Sequence, residues 1–433
     1  MKRIYYGWWI VAATSIICML GFGTWLYCFG VFFLPMMEEF GWTRAQTAFA
    51  YSFRGIQGGL AAPIVGWAVD KYGPRRVVFL GGVISGFGFI MMCTIDSLIG
   101  FYLIYGVLLS VGMSAMLYTP ANTAIANWFV RMRSRALSLM AVGAGIGGFV
   151  CAPAAAVLIE SHGWRTSFII MGVAIWVVVL PLSLLLRRRP EDYGLRIDGD
   201  PPEQELSENV TLSSADKNTP LPPSTDWTLR EAIKSRTYWI LVLAFFLAAM
   251  THATVIVHCD PAFQDVGISP EKAAFSIGFA TLFSIIGRLT FGWLGDFFDK
   301  RRLFMLTYSI EALGVLVLTQ AAVPGSLYLF AALFGIGFGG TIPLNPAIRG
   351  QYFGRASFGK IQGSMAPMLM MGGLIGPPLA GKLRDLSGSY GLSFLLIGLL
   401  QFCAAITIFF ARPARRRSEA IGLHTVSETT KAL

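Results

Sequence analysis

The sequence predicts an all-α membrane protein of twelve transmembrane helices, arranged as two six-helix repeats with both termini in the cytoplasm. Three observations predict this class. First, 55% of the 433 residues are hydrophobic and only 13% are charged, whereas a soluble domain carries about 25% charged residues. Second, apolar runs long enough to cross a bilayer, about 20 residues each, recur along the whole chain. Third, short motifs of the first half return in the second half at a nearly constant offset.

The apolar runs define the helices and the domain boundaries. Six precede a polar stretch and six follow it, at about 7–37, 43–69, 77–95, 98–129, 136–160, 164–186, 238–259, 272–295, 303–322, 326–350, 360–381 and 391–411. The polar stretch is rich in proline and charge, which is typical of a linker, and it ends in a short amphipathic helix capped by Thr228 or Asp226. The predicted domains are an N-terminal half 1–186, a linker 187–237, a C-terminal half 238–411 and a tail 412–433.

The basic residues indicate the orientation of the chain. One set of loops and termini holds 21 of the 34 basic residues, among them Arg349 and Arg355, while the opposite loops hold five. Cytoplasmic loops carry an excess of Lys and Arg, so both termini and the linker are expected in the cytoplasm. The net charge of +10 then mostly reports topology, and no nucleic-acid partner is expected.

The repeated motifs lie 223 to 226 residues apart. Four pairs carry the repeat: Gly66-x-x-x-Asp70 with Arg75-Arg76 and Gly292-x-x-x-Asp296 with Arg301-Arg302; Pro120-x-Asn122 and Pro343-x-Asn345; Trp128-Phe129 and Tyr352-Phe353; Ser167-Phe168 and Ser393-Phe394. Equivalent motifs in equivalent helices indicate two halves with the same fold, related by an axis along the membrane normal. That architecture predicts a ligand site between the halves, near the bilayer midplane.

The loop from Gly66 to Arg76 reads Gly-x-x-x-Asp-x-x-Gly-x-Arg-Arg. It resembles the loop after the second helix in the major facilitator superfamily. With the twelve helices and the internal repeat, the resemblance covers the whole chain. It implies a secondary transporter that works by alternating access.

A narrower similarity is to the monocarboxylate transporter family and its bacterial relatives, including the oxalate:formate antiporter group. The segments that carry it are 5–9, 128–148, 352–359 and 287–296. In the last of these, the resemblance implies that Arg288 on the eighth helix binds the substrate carboxylate. Three parts of the family pattern are absent. The acid that many animal members have four residues before that arginine is replaced by Ser284, the lysine of the first helix is missing because 7–36 contains no basic residue, and the lysine of the eleventh helix is missing because 362–380 is uncharged. The usual proton-coupling and dianion-pairing residues are therefore not carried over.

Two arginines lie deep in predicted helices. Arg288 is about 12 Å from the cytoplasmic Asp296 by helical rise, and Arg54 is well inside the second helix. An arginine at such depth costs about 3 kcal/mol on insertion scales, a cost that a carboxylate bound through both arms of the guanidinium can offset. We expect Arg288 to bind the substrate anion, with contacts to backbone carbonyls as the alternative. For Arg54 we expect a gating or structural role, with a second anion contact as the alternative.

Five further side chains are candidates for the site or for coupling. His252 lies in the middle of the seventh helix and can titrate between pH 5 and 8, so it suits proton coupling or substrate binding, with simple hydrogen bonding as the alternative. For Glu311, in the ninth helix, we expect a packing role. Tyr27, Tyr118 and Asn345 are polar groups near mid-membrane that can orient a carboxylate; Asn345 could equally support helix packing.

Charged residues at the cytoplasmic helix ends are candidates for a gate. Asp70 and Arg75 follow the second helix, and Asp296 and Arg301 follow the eighth. Ion pairs between the halves at these positions would lock one conformation and break in the other. The alternative is that the arginines only set the topology.

No enzymatic site is expected from the sequence. The six cysteines lie in or beside apolar runs and form no Cys-x-x-Cys pair, so we expect neither a metal site nor a disulfide framework, and no cofactor. The sequence predicts a proton-coupled symporter of small monocarboxylates such as lactate or pyruvate. Carboxylate exchange is the second hypothesis and drug export the third. The expected partners are a small carboxylate, protons and the lipid bilayer, in a monomeric, multi-pass protein of the bacterial inner membrane.

Overall fold

A computed structural model describes residues 4–42, 44–199, 226–323 and 325–413. Each predicted apolar segment corresponds to a helix or a helical arm. In chain order these are α1 (Tyr6–Phe22, a π-helical stretch Gly23–Tyr27 and Phe29–Phe40), α2 (Arg44–Tyr72), α3 (Pro74–Met92), α4 (Leu98–Phe101, a π-helical stretch Tyr102–Leu109, Ser110–Met116 and Tyr118–Trp128), α5 and α6 (the arms of Arg133–Leu184), α7 (Arg236–Asp265), α8 (Pro270–Phe297), α9 (Lys300–Val317), α10 (Ser326–Phe353), α11 (Phe358–Ser387) and α12 (Gly391–Phe409). Short helices Glu191–Tyr193, Ile197–Gly199, Leu229–Lys234 and Leu318–Gln320 lie between them.

The continuous helical stretch Arg133–Leu184 contains two of the predicted segments. Its 52 residues would measure about 78 Å at 1.5 Å per residue, more than twice the hydrocarbon core of about 30 Å. Gly163 divides it, because its φ of 76° lies in the left-handed region that glycine adopts without steric cost. The arms 133–162 and 164–184 are α5 and α6. With this stretch counted once, eight helices in the described residues are long and apolar enough to cross a membrane; twelve crossings and the orientation stay predictions.

The outer surface of the bundle is apolar. The side chains of Leu60, Ile64, Phe149, Val177 and Leu282 are all more than half exposed. Soluble proteins rarely show large contiguous apolar surfaces, whereas lipid covers such side chains in a bilayer. The exposed apolar residues therefore agree with the predicted membrane class.

The two halves meet chiefly where α2 packs on α11 and α5 packs on α8. A Cβ atom on Gly66 would lie 2.0 Å from the carbonyl oxygen of Gly359, and one on Gly292 would lie 2.2 Å from Cβ of Ser138. Small residues are what allow helices to approach this closely. Because Gly66 and Gly292 are equivalent in the repeat, the two contacts are related by the internal symmetry.

The end of the linker is ordered against the C-terminal half. Thr228 caps the helix Leu229–Lys234 in a capping box with Glu231. Of the two caps that the sequence predicts, Thr228 and Asp226, the structure therefore has Thr228. Asp226 instead accepts hydrogen bonds from the backbone N–H groups of Arg355 and Ala356, at 2.7 and 3.1 Å. The linker residues 200–225 and the tail residues 414–433 lie outside the described residues, and the predicted domain boundaries stay predictions.

Candidate functional site

A cavity of about 450 Å³ lies between the two halves. Helices of both halves line it: α1, α2 and α4 from the first, and α7, α10 and α11 from the second. Its polar or charged lining residues are Ser114, Tyr118, Thr119, Asn122, His252, Thr341, Asn345, Arg349 and Gln362. This is the position in which the internal repeat predicts a ligand site.

Amide and hydroxyl groups form one wall of the cavity. Gln362 of α11 bridges to α4, where its side chain accepts from Asn122 at 3.5 Å and donates to the Thr119 hydroxyl at 3.4 Å. These are long hydrogen bonds, and Oδ1 of Asn122 is buried with no partner in the described structure. Tyr118 lies beside them, with its ring 4.6 Å from that of Phe22. The wall thus retains hydrogen-bonding capacity for a small polar ligand.

Arg349 supplies positive charge to this cavity. It lies on α10, one helical turn after Asn345, and only 6% of it is exposed. Its guanidinium carbon is 4.8 Å from the centre of the Phe245 ring, and its buried Nε has no hydrogen-bond acceptor among the described residues. Sequence reasoning grouped Arg349 with the arginines of the cytoplasmic loops. The signal that could have identified it is its i, i+4 spacing from Asn345, which puts both on one helix face.

His252 links the cavity to a buried acid. Its Nε2 is 2.6 Å from Oε1 of Glu311, and the His252 side chain is 21% exposed whereas Glu311 is fully buried. The other carboxylate oxygen of Glu311 accepts a hydrogen bond of 2.7 Å from Gln401 of α12. The sequence predicts a packing role for Glu311. The structure adds a contact between Glu311 and His252, which lines the cavity.

Arg288 lies at the contact between α5 and α8. It is 5% exposed, and its Nη1 donates to the carbonyl oxygen of Ala141 at 2.7 Å. Its own carbonyl oxygen accepts from the Ser138 hydroxyl at 2.6 Å. Its Nε has no acceptor within the described residues. Arg288 is not among the residues that line the 450 Å³ cavity, and its assignment as the carboxylate ligand stays a prediction.

Four other predicted site residues have different outcomes. Asn345 and Tyr118 line the cavity. Tyr27 and Arg54 lie on α1 and α2, but their side chains are outside the described residues.

Asp70 and Asp296 join the halves at the predicted cytoplasmic end. The Asp70 carboxylate accepts from the backbone N–H groups of Gly359 and Lys360 at the start of α11, at 3.0 and 2.8 Å. Asp296 accepts from the Ser134 N–H and from Arg135 Nε at the start of α5, both at 2.8 Å. Each acid thus receives the N-terminus of a helix from the opposite half, where a negative charge is favourable.

Both acids are partly withdrawn from water. Asp70 lies just beyond the predicted apolar segment 43–69, and burial raises the pKa of its carboxyl to about 6, against an ordinary value of 3.8. The N–H donors and the nearby charges of Lys360 and Arg188 act in the opposite direction. Burial likewise raises the pKa of Asp296, opposed by Arg135.

Within the described residues, the other two predicted gate residues form no ion pair or hydrogen bond across the halves. Arg301 pairs with Asp299 at 2.6 Å, in its own loop, because Asp299 also caps α9 through the Arg301 N–H. Arg75 is exposed and lies beside Arg76 on the outer surface of the bundle.

Arg355, which sequence reasoning assigned only to topology, does cross the halves. Its guanidinium donates to the carbonyl oxygen of Asn127 at 2.6 Å and to the Glu191 carboxylate at 2.8 Å. Together with the contacts of Asp70 and Asp296, this bond joins the two halves at the predicted cytoplasmic end. In the part of the chain that the structure describes, no cluster of His, Cys, Asp or Glu is arranged to hold a metal ion.

Comparisons of sequence identify relatives over nearly the full chain. The rat protein named monocarboxylate transporter 12 is 27% identical over 429 residues, which is 95% of this chain and 86% of that protein. Human monocarboxylate transporter 11 is 28% identical over 404 residues, covering 91% and 80% of the two chains. Rat monocarboxylate transporter 13 is 28% identical over 401 residues, covering 91% and 86%.

Solved structures and a family model agree on the fold. The proton:xylose symporter XylE superposes with a TM-score of 0.73 at 14% identity, covering 94% of this chain and 96% of that one. The E. coli fucose:proton symporter FucP superposes with a TM-score of 0.68 at 15% identity, covering 94% and 98%. The model of the Major Facilitator Superfamily matches residues 11–259 and 254–429. These matches confirm the predicted all-α membrane fold, and the chain belongs to the major facilitator superfamily of multi-pass membrane transporters, which are not enzymes.

Proposed function

We propose that this transporter moves small monocarboxylates together with protons across a cell membrane by alternating access. The observation that carries the proposal is the buried guanidinium of Arg349 in the wall of the cavity between the halves. Its Nε lacks an acceptor, and a guanidinium in a poorly hydrated site binds a carboxylate through two parallel, charge-assisted hydrogen bonds. An anion bound there would satisfy a donor that the described protein leaves unpaired.

The size and polarity of the cavity favour a small substrate. Pockets for small ligands measure about 300–1,000 Å³ and place a few polar groups in a mainly apolar lining, which fits a cavity of about 450 Å³ with Phe22, Phe338 and Leu369 among its lining residues. Asn345 and Tyr118 can orient the rest of the molecule, such as a keto or hydroxyl group. The names of the relatives support the monocarboxylate class.

Arg288 remains a second candidate for the anion contact. One of its nitrogens is occupied by the Ala141 carbonyl, but its Nε is unpaired in the described structure. The contact between α5 and α8 joins the two halves, so movement of the halves would change the surroundings of this side chain. Arg288 then contributes to anion binding or to its release when the halves move.

Proton symport gives a monocarboxylate a usable driving force. A carboxylate with one negative charge that moves with one proton carries no net charge, so the membrane potential neither drives nor opposes it. Accumulation then depends on the pH gradient alone. We place the protein, as a monomer, in the bacterial inner membrane.

Uptake by purified protein in proteoliposomes tests the proposal. Labelled lactate, pyruvate, formate and oxalate are offered with and without a pH gradient, for the wild type and for Arg349→Ala and Arg288→Ala. We expect the monocarboxylates to accumulate only with the gradient, and both variants to be impaired. Uptake of none of the acids by the wild type contradicts the substrate class, and normal uptake by either variant removes that arginine from the site.

A further inference from the structure

Glu311 carries a buried carboxyl group whose presence needs an explanation. It is fully buried in a helix that faces apolar surroundings, where ionisable residues are costly and are retained mainly for function. Its Oε2 accepts a hydrogen bond of 2.7 Å from Gln401 of α12. Its Oε1 lies 2.6 Å from Nε2 of His252 of α7, at ion-pair distance, but the two atoms are not aligned as a hydrogen bond in the described structure. Gly337 of α10 packs against it so closely that a Cβ there would lie 2.8 Å from Glu311 Cβ. The carboxyl is thus held by three helices and has no direct access to the cavity.

His252 is the connection between Glu311 and the cavity. Its ring packs edge-on against Phe338, at 4.9 Å between centroids, and its side chain is partly exposed where it lines the cavity. Since Glu311 is fully buried, a proton from cavity water reaches the acid through the imidazole. Imidazole is suited to this transfer because it can accept a proton at one ring nitrogen and donate from the other.

Few other ionisable groups surround the pair. From α9 itself Tyr308 interacts with Glu311, and from α10 Arg349 interacts with Tyr308 and with Tyr238 of α7. From α12 the contact is Gln401, which is neutral. The described charges at this place are therefore the carboxyl of Glu311, the guanidinium of Arg349 and the imidazole of His252 when it is protonated.

We propose that His252 and Glu311 together form the proton-binding site of this transporter, and that proton binding there favours a carboxylate in the cavity that His252 and Arg349 line. This inference rests on the proposed function. A proton from the cavity adds to Nδ1 of His252, and the proton on Nε2 moves to Oε1 of Glu311. The imidazole ends neutral with its hydrogen on Nδ1, the carboxylate becomes a carboxylic acid, and the charge of the pair changes from −1 to 0.

The change of charge explains the coupling. With the pair deprotonated, its negative charge lies beside the cavity that His252 lines and disfavours an anion there. With the pair protonated, that repulsion is absent, and a carboxylate can neutralise Arg349, which lines the same cavity. Electrostatic effects of this kind are strong where water is scarce. The proton binds first on one side of the membrane, and loss of the carboxylate on the other side permits its release.

The test compares gradient-driven uptake with exchange in proteoliposomes. Glu311→Gln and His252→Gln are nearly isosteric changes that remove titration, and His258→Gln is the matched control on the same helix, since His258 contacts Tyr390 and the Pro377 carbonyl instead. Labelled pyruvate is the probe. Exchange between equal concentrations on both sides needs no net proton movement, so it reports substrate binding and the motion of the halves.

We expect the wild type and His258→Gln to accumulate pyruvate about tenfold for a gradient of about one pH unit. Glu311→Gln, which is permanently neutral, should show no accumulation but retain exchange, and Glu311→Asp should recover part of the accumulation. His252→Gln leaves Glu311 charged and without a route for its proton, so this variant should lose both accumulation and exchange. Normal accumulation in either Gln variant overturns the inference, as does the loss of exchange in Glu311→Gln. Failure of the wild type to accumulate pyruvate with the gradient contradicts the proposed function instead.

Discussion

At the scale of single residues, the chemistry depends on a small number of buried charges. Arg349 and Arg288 are both at least 94% buried, and each has an Nε without an acceptor in the described residues. A buried donor without a partner costs about 1–3 kcal/mol, more when the group is charged. A ligand that supplies the acceptor recovers that free energy. For this reason we expect substitutions at these two arginines, rather than at the exposed ones at the helix ends, to affect substrate binding.

Replacement of Arg349 should weaken transport of every carboxylate. Arg349→Ala removes a charge-assisted hydrogen bond worth about 1.5–3 kcal/mol, so kcat/KM should fall by about 10- to 150-fold. Arg349→Lys keeps the charge but loses the two-pronged geometry, and should lie between. Initial uptake rates over a range of pyruvate concentrations give these values. Arg302→Ala, an exposed arginine at the start of α9, is the control; an equal fall in the control and in Arg349→Ala would refute a specific role.

Asp70 should make closure of its end of the molecule depend on pH. Closure buries the carboxyl, which raises its pKa to about 6, whereas in an open, hydrated state the ordinary value applies. The closed state therefore binds the proton more tightly. Closure is favoured as the pH falls through about 6 toward 3.8, the ordinary pKa of this carboxyl. Asp296, whose pKa is raised in the same direction, adds to the effect.

Spin labels at positions 72 and 356, on opposite halves at this end, measure that closure. In the wild type, the short-distance population should rise between about pH 7 and pH 5. Asp70→Asn should reduce the change, and the double variant Asp70→Asn/Asp296→Asn should abolish it. A wild-type distribution that does not vary with pH, or a double variant that still titrates, is incompatible with this account.

At the scale of helices, the contacts between the halves are close and symmetric. The α2–α11 and α5–α8 contacts each depend on a glycine, Gly66 and Gly292, that occupies the equivalent position in the repeat. Each contact is also completed by an acid one turn later, Asp70 or Asp296, that binds the N-terminus of the facing helix. Tight packing and a terminal hydrogen bond of this kind can form and separate as a unit, which is what a rocking motion of two rigid halves requires.

A methyl group at Gly66 should shift the molecule away from the closed arrangement of this end. The added Cβ would meet the Gly359 carbonyl oxygen at 2.0 Å, and overpacking of this kind costs about 1–3 kcal/mol. Gly66→Ala should therefore lower the short-distance population of the 72/356 label pair. Gly55→Ala on the same helix, where a Cβ meets nothing within 4 Å, should leave it unchanged. Identical distributions for Gly66→Ala and the wild type would show that this contact does not limit closure.

At the scale of the whole molecule, the repeat explains why the site lies where it does. Two halves of one fold meet around a cavity whose walls come from both, so a relative movement changes access to the cavity without dismantling either half. The contacts of Asp70, Asp296 and Arg355 join the halves at one end. In the alternating access that we propose, these contacts separate while others form at the opposite end.

Much of this architecture is readable from the sequence, because hydropathy and glycine positions act locally. The apolar segments coincide with helices, and Gly163 separates α5 from α6 where two segments were predicted. The site was less accessible to sequence reasoning. Arg349 was counted with the loop arginines because only packing reveals its depth, and Glu311 was assigned to packing because its contact with His252 joins residues 59 apart. No side-chain pattern could indicate that Asp70 binds backbone N–H groups, since every residue except proline carries one.

Simultaneous measurement of proton and carboxylate fluxes tests the account most directly. Proteoliposomes containing the wild type and an internal pH indicator are given labelled pyruvate under an inward pH gradient, with the membrane potential clamped by potassium and valinomycin. The account predicts that one proton enters with each pyruvate and that the rate is the same at every clamped potential. Pyruvate entry without proton entry, entry that requires an internal carboxylate for exchange, or a rate that follows the potential would contradict it.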